Sequence, residues 1–128
     1  MPTIPADTSP PPDVCLLLRA HAEQRWLSRE VIPVLRQVEV RDDLPEEQYG
    51  AALAYLEVIW MEAQQRAQET DSAREKLKRS ASNDSVLPQK AFRYHAAVRD
   101  LRSAVSRRVG TMLTGVANLP KQAPAQFQ

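Results

Sequence analysis

Apolar residues recur every three or four positions over three long stretches of the chain, the spacing of one face of an α-helix. In the longest stretch, from residue 44 to about 79, they are Tyr49, Leu53, Leu56, Trp60, Ala63 and Ala67. Pro45 and the two glutamates after it suit a first helical turn, where proline loses no hydrogen bond and the helix dipole stabilises acidic groups. No proline follows until Pro88, so this stretch predicts one long helix.

The first stretch begins at Asp13, which we expect to cap a helix. Its apolar pattern comprises Leu17, Leu18, His21, Ser28, Val31, Ile32, Leu35 and Val38. Pro33 removes one helix hydrogen bond and clashes with the carbonyl group four residues earlier, which costs about 3 kcal/mol in a straight helix. Because the pattern continues in phase beyond it, we predict a helix that is kinked at Pro33.

The third stretch has the most regular apolar pattern. It begins at Leu87 and Pro88, which repeat the Leu-Pro pair that opens the second stretch. The apolar positions are Tyr94, Val98, Leu101, Val105, Val109, Met112 and Val116. Gly115 and then Pro120 predict the end of this helix.

Three amphipathic helices can remove their apolar faces from water by packing against one another. We therefore predict an all-α fold, an antiparallel bundle of three long helices over residues 13–116. Residues 1–12 hold five of the ten prolines and predict a disordered tail, and residues 117–128 predict a second one. Ser72 and Glu75 have capping-box spacing, which leaves open a break in the second helix near residues 70–72.

The composition is typical of a small helical protein. The 128 residues suffice for one domain, and 26% of them are charged while 5% are aromatic. Cys15 is the only cysteine, which excludes an internal disulfide and favours a reducing compartment. The sequence has neither a signal-like start nor an apolar run long enough to span a membrane. We expect a cytoplasmic protein that does not enter the membrane.

Charge is distributed unevenly between the second and third stretches. Residues 45–69 contain five acids and one base, whereas residues 88–115 contain six bases and one acid. The simpler interpretation is that the basic helix packs beside the acidic one and the flanking charges pair. The alternative is a patch for an anionic ligand or partner, formed by Arg93, Arg99, Arg102 and Arg107. The net charge of +1 and the length of the helices make nucleic-acid binding improbable.

Catalytic chemistry has little support in the sequence. Neither His21 nor His95 follows a glutamate by three residues, the spacing that helical di-metal sites use. The chain has no Gly-x-Ser-x-Gly motif and no glycine-rich phosphate loop, and Cys15 could act as a nucleophile only if the fold brought a histidine to it. We expect both histidines to be structural, and we predict a non-enzymatic protein without a metal or a cofactor.

Two parts of the sequence resemble a known family. Residues 16–21 (LLLRAH) with 30–33 (EVIP), and residues 93–101 (RYHAAVRDL), are similar to small helical actinobacterial proteins labelled as natural-product biosynthesis proteins. The resemblance covers about 90 residues and implies no catalytic residues.

The sequence thus favours a helical module that acts through protein–protein contacts. A helix of this length outruns its partners in a bundle, so either its far end frays or a second copy of the chain covers the remaining apolar surface. A homo-oligomer is therefore predicted, with a further protein partner that the sequence does not identify. The alternative is a small regulator that binds nucleic acid or an anionic ligand through the basic third helix.

Overall fold

The fold is a bundle of helices with one bent member. The computed structural model describes residues 10–40, 44–80 and 86–126, with side chains up to residue 114. The elements are α1 (Pro12–Trp26), a π-helical segment (Leu27–Val31), α2 (Ile32–Glu39), α3 (Glu46–Ser80) and α4 (Val86–Gln126). Because α1, the π segment and α2 form one continuous bent helix, the predicted all-α bundle of three helices is confirmed.

The bend in the first helix has a local cause. Pro33 has no amide hydrogen to donate to the carbonyl of Arg29, and its ring would clash with that carbonyl in a regular α-helix. In the structure, the amide of Ile32 instead donates to the carbonyl of Leu27, five residues earlier. This wider π turn gives the proline ring room. The predicted kink is therefore present, and the π segment that forms it lies immediately before α2.

The start of α1 differs from the prediction. The helix begins at Pro12, one residue before the cap that we expected at Asp13. Proline suits this position because its fixed φ angle is already helical and its missing amide hydrogen would have no helical partner. Asp13 lies within the first turn, where its carboxylate accepts a hydrogen bond from the amide of Val14 at 2.7 Å.

The second helix of the bundle, α3, is continuous. It begins at Glu46, directly after Pro45, and the alternative break near residues 70–72 does not occur. Thr70 is fully buried, and its hydroxyl donates to the carbonyl of Arg66 at 2.9 Å and lies 3.3 Å from the carbonyl of Arg19 on α1. The threonine therefore joins α3 to α1 and does not end the helix.

The last helix is longer than expected. It continues past Gly115 and Pro120, where we expected it to end, and reaches Gln126. A glycine inside a helix costs about 1 kcal/mol without breaking it.

The disorder of residues 117–128 in solution stays a prediction. The sequence also predicts a helix cap at residue 43 and a loop over residues 80–85. Residue 43, residues 81–85 and the first nine residues of the predicted N-terminal tail lie outside the described residues.

Most of the buried apolar residues that the structure describes form two clusters at different heights in the bundle. The larger cluster contains Leu27, Val31, Leu35, Val38, Leu53, Leu56, Ile59, Ala63, Val105 and Val109. The smaller cluster contains Leu16, Ala73, Leu77 and Ala91. The chain runs from the smaller to the larger cluster in the first helix, back in α3, and again to the larger one in α4. This order is that of an antiparallel bundle.

The predicted apolar face of α1 is wrong in phase. Leu18 is 56% exposed, and His21 and Ser28 are also exposed. The buried positions from the start of the first helix to the first residue of the π segment are Leu16, Ala20, Glu23 and Leu27. A glutamate therefore occupies a core position, and its partners explain why.

Gly110 offers a test of how the helices are stabilised. It lies on the exposed side of α4, and a Cβ atom placed there would meet no atom within 4 Å apart from the backbone of its own helix and its chain neighbours. Because alanine loses less backbone freedom than glycine on folding, Gly110→Ala should raise the free energy of unfolding by about 0.5–1 kcal/mol. Urea denaturation followed by circular dichroism measures this change in the free energy of unfolding. The reverse change at an exposed position of the same helix, Ala104→Gly, should lower stability by a similar amount, and a destabilising Gly110→Ala would contradict the helix assignment.

Candidate functional site

A layer of ionisable side chains joins all three helices between the two core clusters. Nε and Nη2 of Arg102 on α4 donate to the carboxylate of Glu23 on α1, at 2.5 and 2.9 Å. Nη1 and Nη2 also donate to the carboxylate of Asp71 on α3, both at 3.1 Å. Nε2 of His95 donates to the same Asp71 carboxylate at 3.0 Å. We call Glu23, Asp71, His95 and Arg102 the polar layer.

The electrostatics favour the charged forms of Arg102 and Asp71. Hydrogen bonds to Glu23 raise the pKa of Arg102, against the opposing effect of burial, and Asp71 raises it further. Partial burial would raise the pKa of Asp71, but the hydrogen bonds from Arg102 and His95 outweigh it and lower that pKa. The arginine is therefore shared between two carboxylates, an arrangement that fixes three helices relative to one another.

The lowered pKa of Asp71 predicts that its carboxylate stabilises the folded chain near neutral pH and that this stabilisation is lost in acid. Because the pKa is lower in the folded chain than in the unfolded one, this contribution is complete above about pH 4 and is lost as the pH falls through the folded value. Asp71→Asn should therefore show a smaller loss of unfolding free energy between about pH 5 and pH 2 than the wild type. Urea denaturation at a series of pH values measures the difference. Asp100→Asn, at an exposed position on α4, is the control, and equal pH profiles for Asp71→Asn and the wild type would refute the assignment.

The four arginines that the sequence singled out on the third helix have different surroundings. Arg102 belongs to the polar layer, where two carboxylates neutralise it. Arg93, Arg99 and Arg107 are exposed and form no ion pair with a described residue. Arg93 and Arg107 are about 21 Å apart along the helix, and Arg99 projects about 120° away from Arg93. The structure thus spreads these three charges over the helix surface.

The pairing of charges also differs from the simpler expectation. The arginines of α4 that form ion pairs with described residues do so with acids outside residues 45–69. Arg108 donates to Glu39 of α2 at 2.7 and 2.8 Å, and Arg102 donates to Glu23 and Asp71. Within the acidic stretch, Glu62 pairs with Arg66 of the same helix and Glu69 pairs with Arg19 of α1. Among the described residues, therefore, no ion pair joins the acidic part of α3 to α4.

The residues considered for catalysis contact other side chains of the bundle. His95 is buried against Asp71, and Nδ1 of His21 is hydrogen-bonded to the hydroxyl of Tyr94 at 3.2 Å. Cys15 is half-buried beside the smaller core cluster. No group of three or more His, Cys, Asp or Glu side chains in the described part of the chain is arranged to hold a metal ion.

An exposed apolar surface lies on α3, on the side opposite its core face. Its large members are Tyr55, Val58 and Met61, with exposed fractions of 50%, 62% and 68%. Ala51 and Ala54 are exposed beside them. The spacing of three or four residues places all five side chains on one side of the helix. We call this surface the outer face of α3. This face was not predicted from the sequence, although its spacing is as regular as that of the core face.

The fold defines the class of the protein as an all-α three-helix bundle. Comparisons with protein-family models, with curated proteins and with solved structures found no match. The resemblance to the actinobacterial family therefore stays a prediction. No helix in the described part of the chain has the length and apolar character needed to cross a membrane.

Proposed function

We propose that this chain is a non-enzymatic helical interaction module that self-associates through the outer face of α3. The observation that carries the proposal is the second apolar side of that helix. Tyr55, Val58 and Met61 are each at least half exposed, while Leu53, Leu56 and Ile59 form the core on the other side. Large exposed apolar side chains grouped on one side of a helix are typical of a surface that binds another protein.

The charges at the two ends of α3 favour an antiparallel over a parallel arrangement of two copies. The exposed ends of α3 carry opposite charges, with Glu46 and Glu47 in the first turn and Lys78 and Arg79 in the last turn. Two parallel copies would place like charges beside one another. An antiparallel pair related by a two-fold axis at Val58 instead separates the two acidic turns by about 33 Å. The same axis packs the apolar patch of each copy against that of the other.

The size of the outer face sets the expected strength of the dimer. A standard protein interface buries about 800 Å² on each partner, and five side chains on one helix face offer less than that. We therefore expect a reversible dimer with a dissociation constant on the order of micromolar or weaker.

Sedimentation equilibrium tests the proposal over a range of protein concentrations. The wild type should shift from monomer to dimer as its concentration rises, and Val58→Glu should remain monomeric because the axis would place two carboxylates side by side. Val86→Glu is the matched control, since Val86 is an equally exposed valine at the start of α4, and it should dimerise like the wild type. A wild type that stays monomeric, or a Val58→Glu variant that dimerises normally, would refute the proposal.

A further inference from the structure

A groove of about 350 Å³ lies on the surface where α1, the π segment and α3 meet. Its ionisable and aromatic lining consists of His21, Arg25, Trp26, Arg29, Glu30 and Arg66. Leu18 and Ala22 complete it with apolar surface. The groove is therefore amphipathic, with one apolar part and one part dominated by arginine.

The wall of the groove on the side of α3 is held in place by Trp26. Its indole Nε1 donates to the carbonyl of Ile59 at 2.9 Å, which fixes the ring between α1 and α3. The guanidinium carbon of Arg66 lies 4.5 Å from the centre of that ring, at cation–π distance. Nε of Arg66 is buried and lies 3.2 Å from a carboxylate oxygen of Glu62, but without the alignment of a hydrogen bond. The ring and the guanidinium thus form a flat, preformed surface.

The lining contributed by the first helix carries positive charge that the described residues do not neutralise. Arg25 and Arg29 are four residues apart, so they lie on the same side of the first helix. Neither forms an ion pair with a residue that the structure describes. Arg66 is paired with Glu62, so the unpaired charges of the groove are Arg25 and Arg29 against the single carboxylate of Glu30, a net excess of one positive charge.

We propose that this groove binds a small amphipathic anion, a phosphate or carboxylate group attached to a flat apolar body. The anionic group would lie between Arg25 and Arg29, because a guanidinium group donates two parallel hydrogen bonds to either kind of anion. The apolar body would lie against Trp26 and Leu18. The volume is at the lower end of the range for ligand sites, which suits a compact ligand.

The location supports a binding role for the groove. Arg29 and Glu30 lie in the π segment, and single π turns inside α-helices occur frequently at functional sites. Here the π turn also adds one residue to the turn that carries these two side chains. The groove is a separate site from the outer face of α3, so ligand binding and self-association can be measured independently.

Isothermal titration calorimetry with four probes tests the proposal on the full chain. The probes are 1-naphthyl phosphate, 1-naphthoate, inorganic phosphate and 1-naphthol. A naphthyl compound that carries an anionic group should bind at least about tenfold more tightly than inorganic phosphate or 1-naphthol, because only it uses both parts of the groove. A preference for the phosphate or for the carboxylate then identifies the favoured anion. Equal affinity for 1-naphthol and both charged compounds, or no binding of any probe at millimolar concentration, would overturn the proposal.

Three substitutions at exposed or half-exposed positions locate the binding site. Arg29→Ala should weaken binding of the better naphthyl anion at least about tenfold, and Glu30→Gln should strengthen it because a repelling charge is removed. Arg99→Ala, at an exposed arginine of α4, should leave the affinity unchanged. Circular dichroism confirms that each variant is folded. Equal affinities for Arg29→Ala and Arg99→Ala would show that the anion does not bind in this groove.

Discussion

Replacing Arg102 with alanine should lower the free energy of unfolding by about 3–5 kcal/mol, because it leaves a buried charge without a partner. The Glu23 side chain is only 1% exposed, and Arg102 gives it two hydrogen bonds. The same substitution removes two hydrogen bonds from Asp71, so the three helices lose their common contact. Urea denaturation followed by circular dichroism at neutral pH measures the change.

Two further variants separate the effect of breaking the buried ion pair from the general effect of losing an arginine. Arg99→Ala removes an exposed arginine three residues earlier in the same helix and should change stability by no more than about 0.5 kcal/mol. Replacing both Glu23 and Arg102 with leucine should recover most of the lost stability, since no unpaired charge remains at these two positions. If Arg102→Ala cost no more than Arg99→Ala, the polar layer would have no structural role.

Leu56→Ala should be the other strongly destabilising change, at a cost of about 2–5 kcal/mol. Leu56 is fully buried in the larger cluster, so alanine both removes buried apolar surface and leaves a cavity. Val58→Ala, two residues later on the outer face, should cost no more than about 0.5 kcal/mol. Thermal and urea denaturation of both variants, at a concentration that keeps the chain monomeric, measures the difference. Similar losses for the two would contradict the assignment of the core and outer faces of α3.

The regular parts of the fold could be predicted from the sequence because helical periodicity is a local property. Val98, Val105 and Val109 are spaced so that they share one side of any helix, and all three are buried in α4. The effect of Pro33 was also predictable, since proline cannot donate a hydrogen bond in any context. The π form of the turn that accommodates it depends on the packing of the flanking residues and could not be read from the pattern.

Glu23 shows why the face of α1 was assigned to the wrong side. A pattern of apolar residues treats a glutamate as a surface residue, because burying a carboxylate is unfavourable unless it is paired. Its partner, Arg102, is 79 residues away in the chain, and nothing local in the sequence links the two. Once Glu23 is accepted as a core position, Leu16, Ala20 and Leu27 follow at helical spacing.

The two candidate sites differ in how far the sequence could have revealed them. The outer face of α3 has a local signal, since Ala51, Ala54, Val58 and Met61 repeat at helical spacing, but the stronger core pattern in the same helix obscured it. The groove combines Arg25 and Arg29 with Arg66, which lies about forty residues later and belongs to another helix. Only the packing of the helices brings these groups together.

Cross-linking of single cysteines tests the antiparallel contact between outer faces most directly. Val58→Cys and Glu47→Cys are each made in a Cys15→Ser background. Each variant is treated with a short bismaleimide, and the yields of covalent dimer are compared. The account predicts efficient dimer formation at position 58, next to the two-fold axis, and little at position 47, where the two copies are about 33 Å apart. Equal yields at both positions, or a higher yield at position 47, would contradict it.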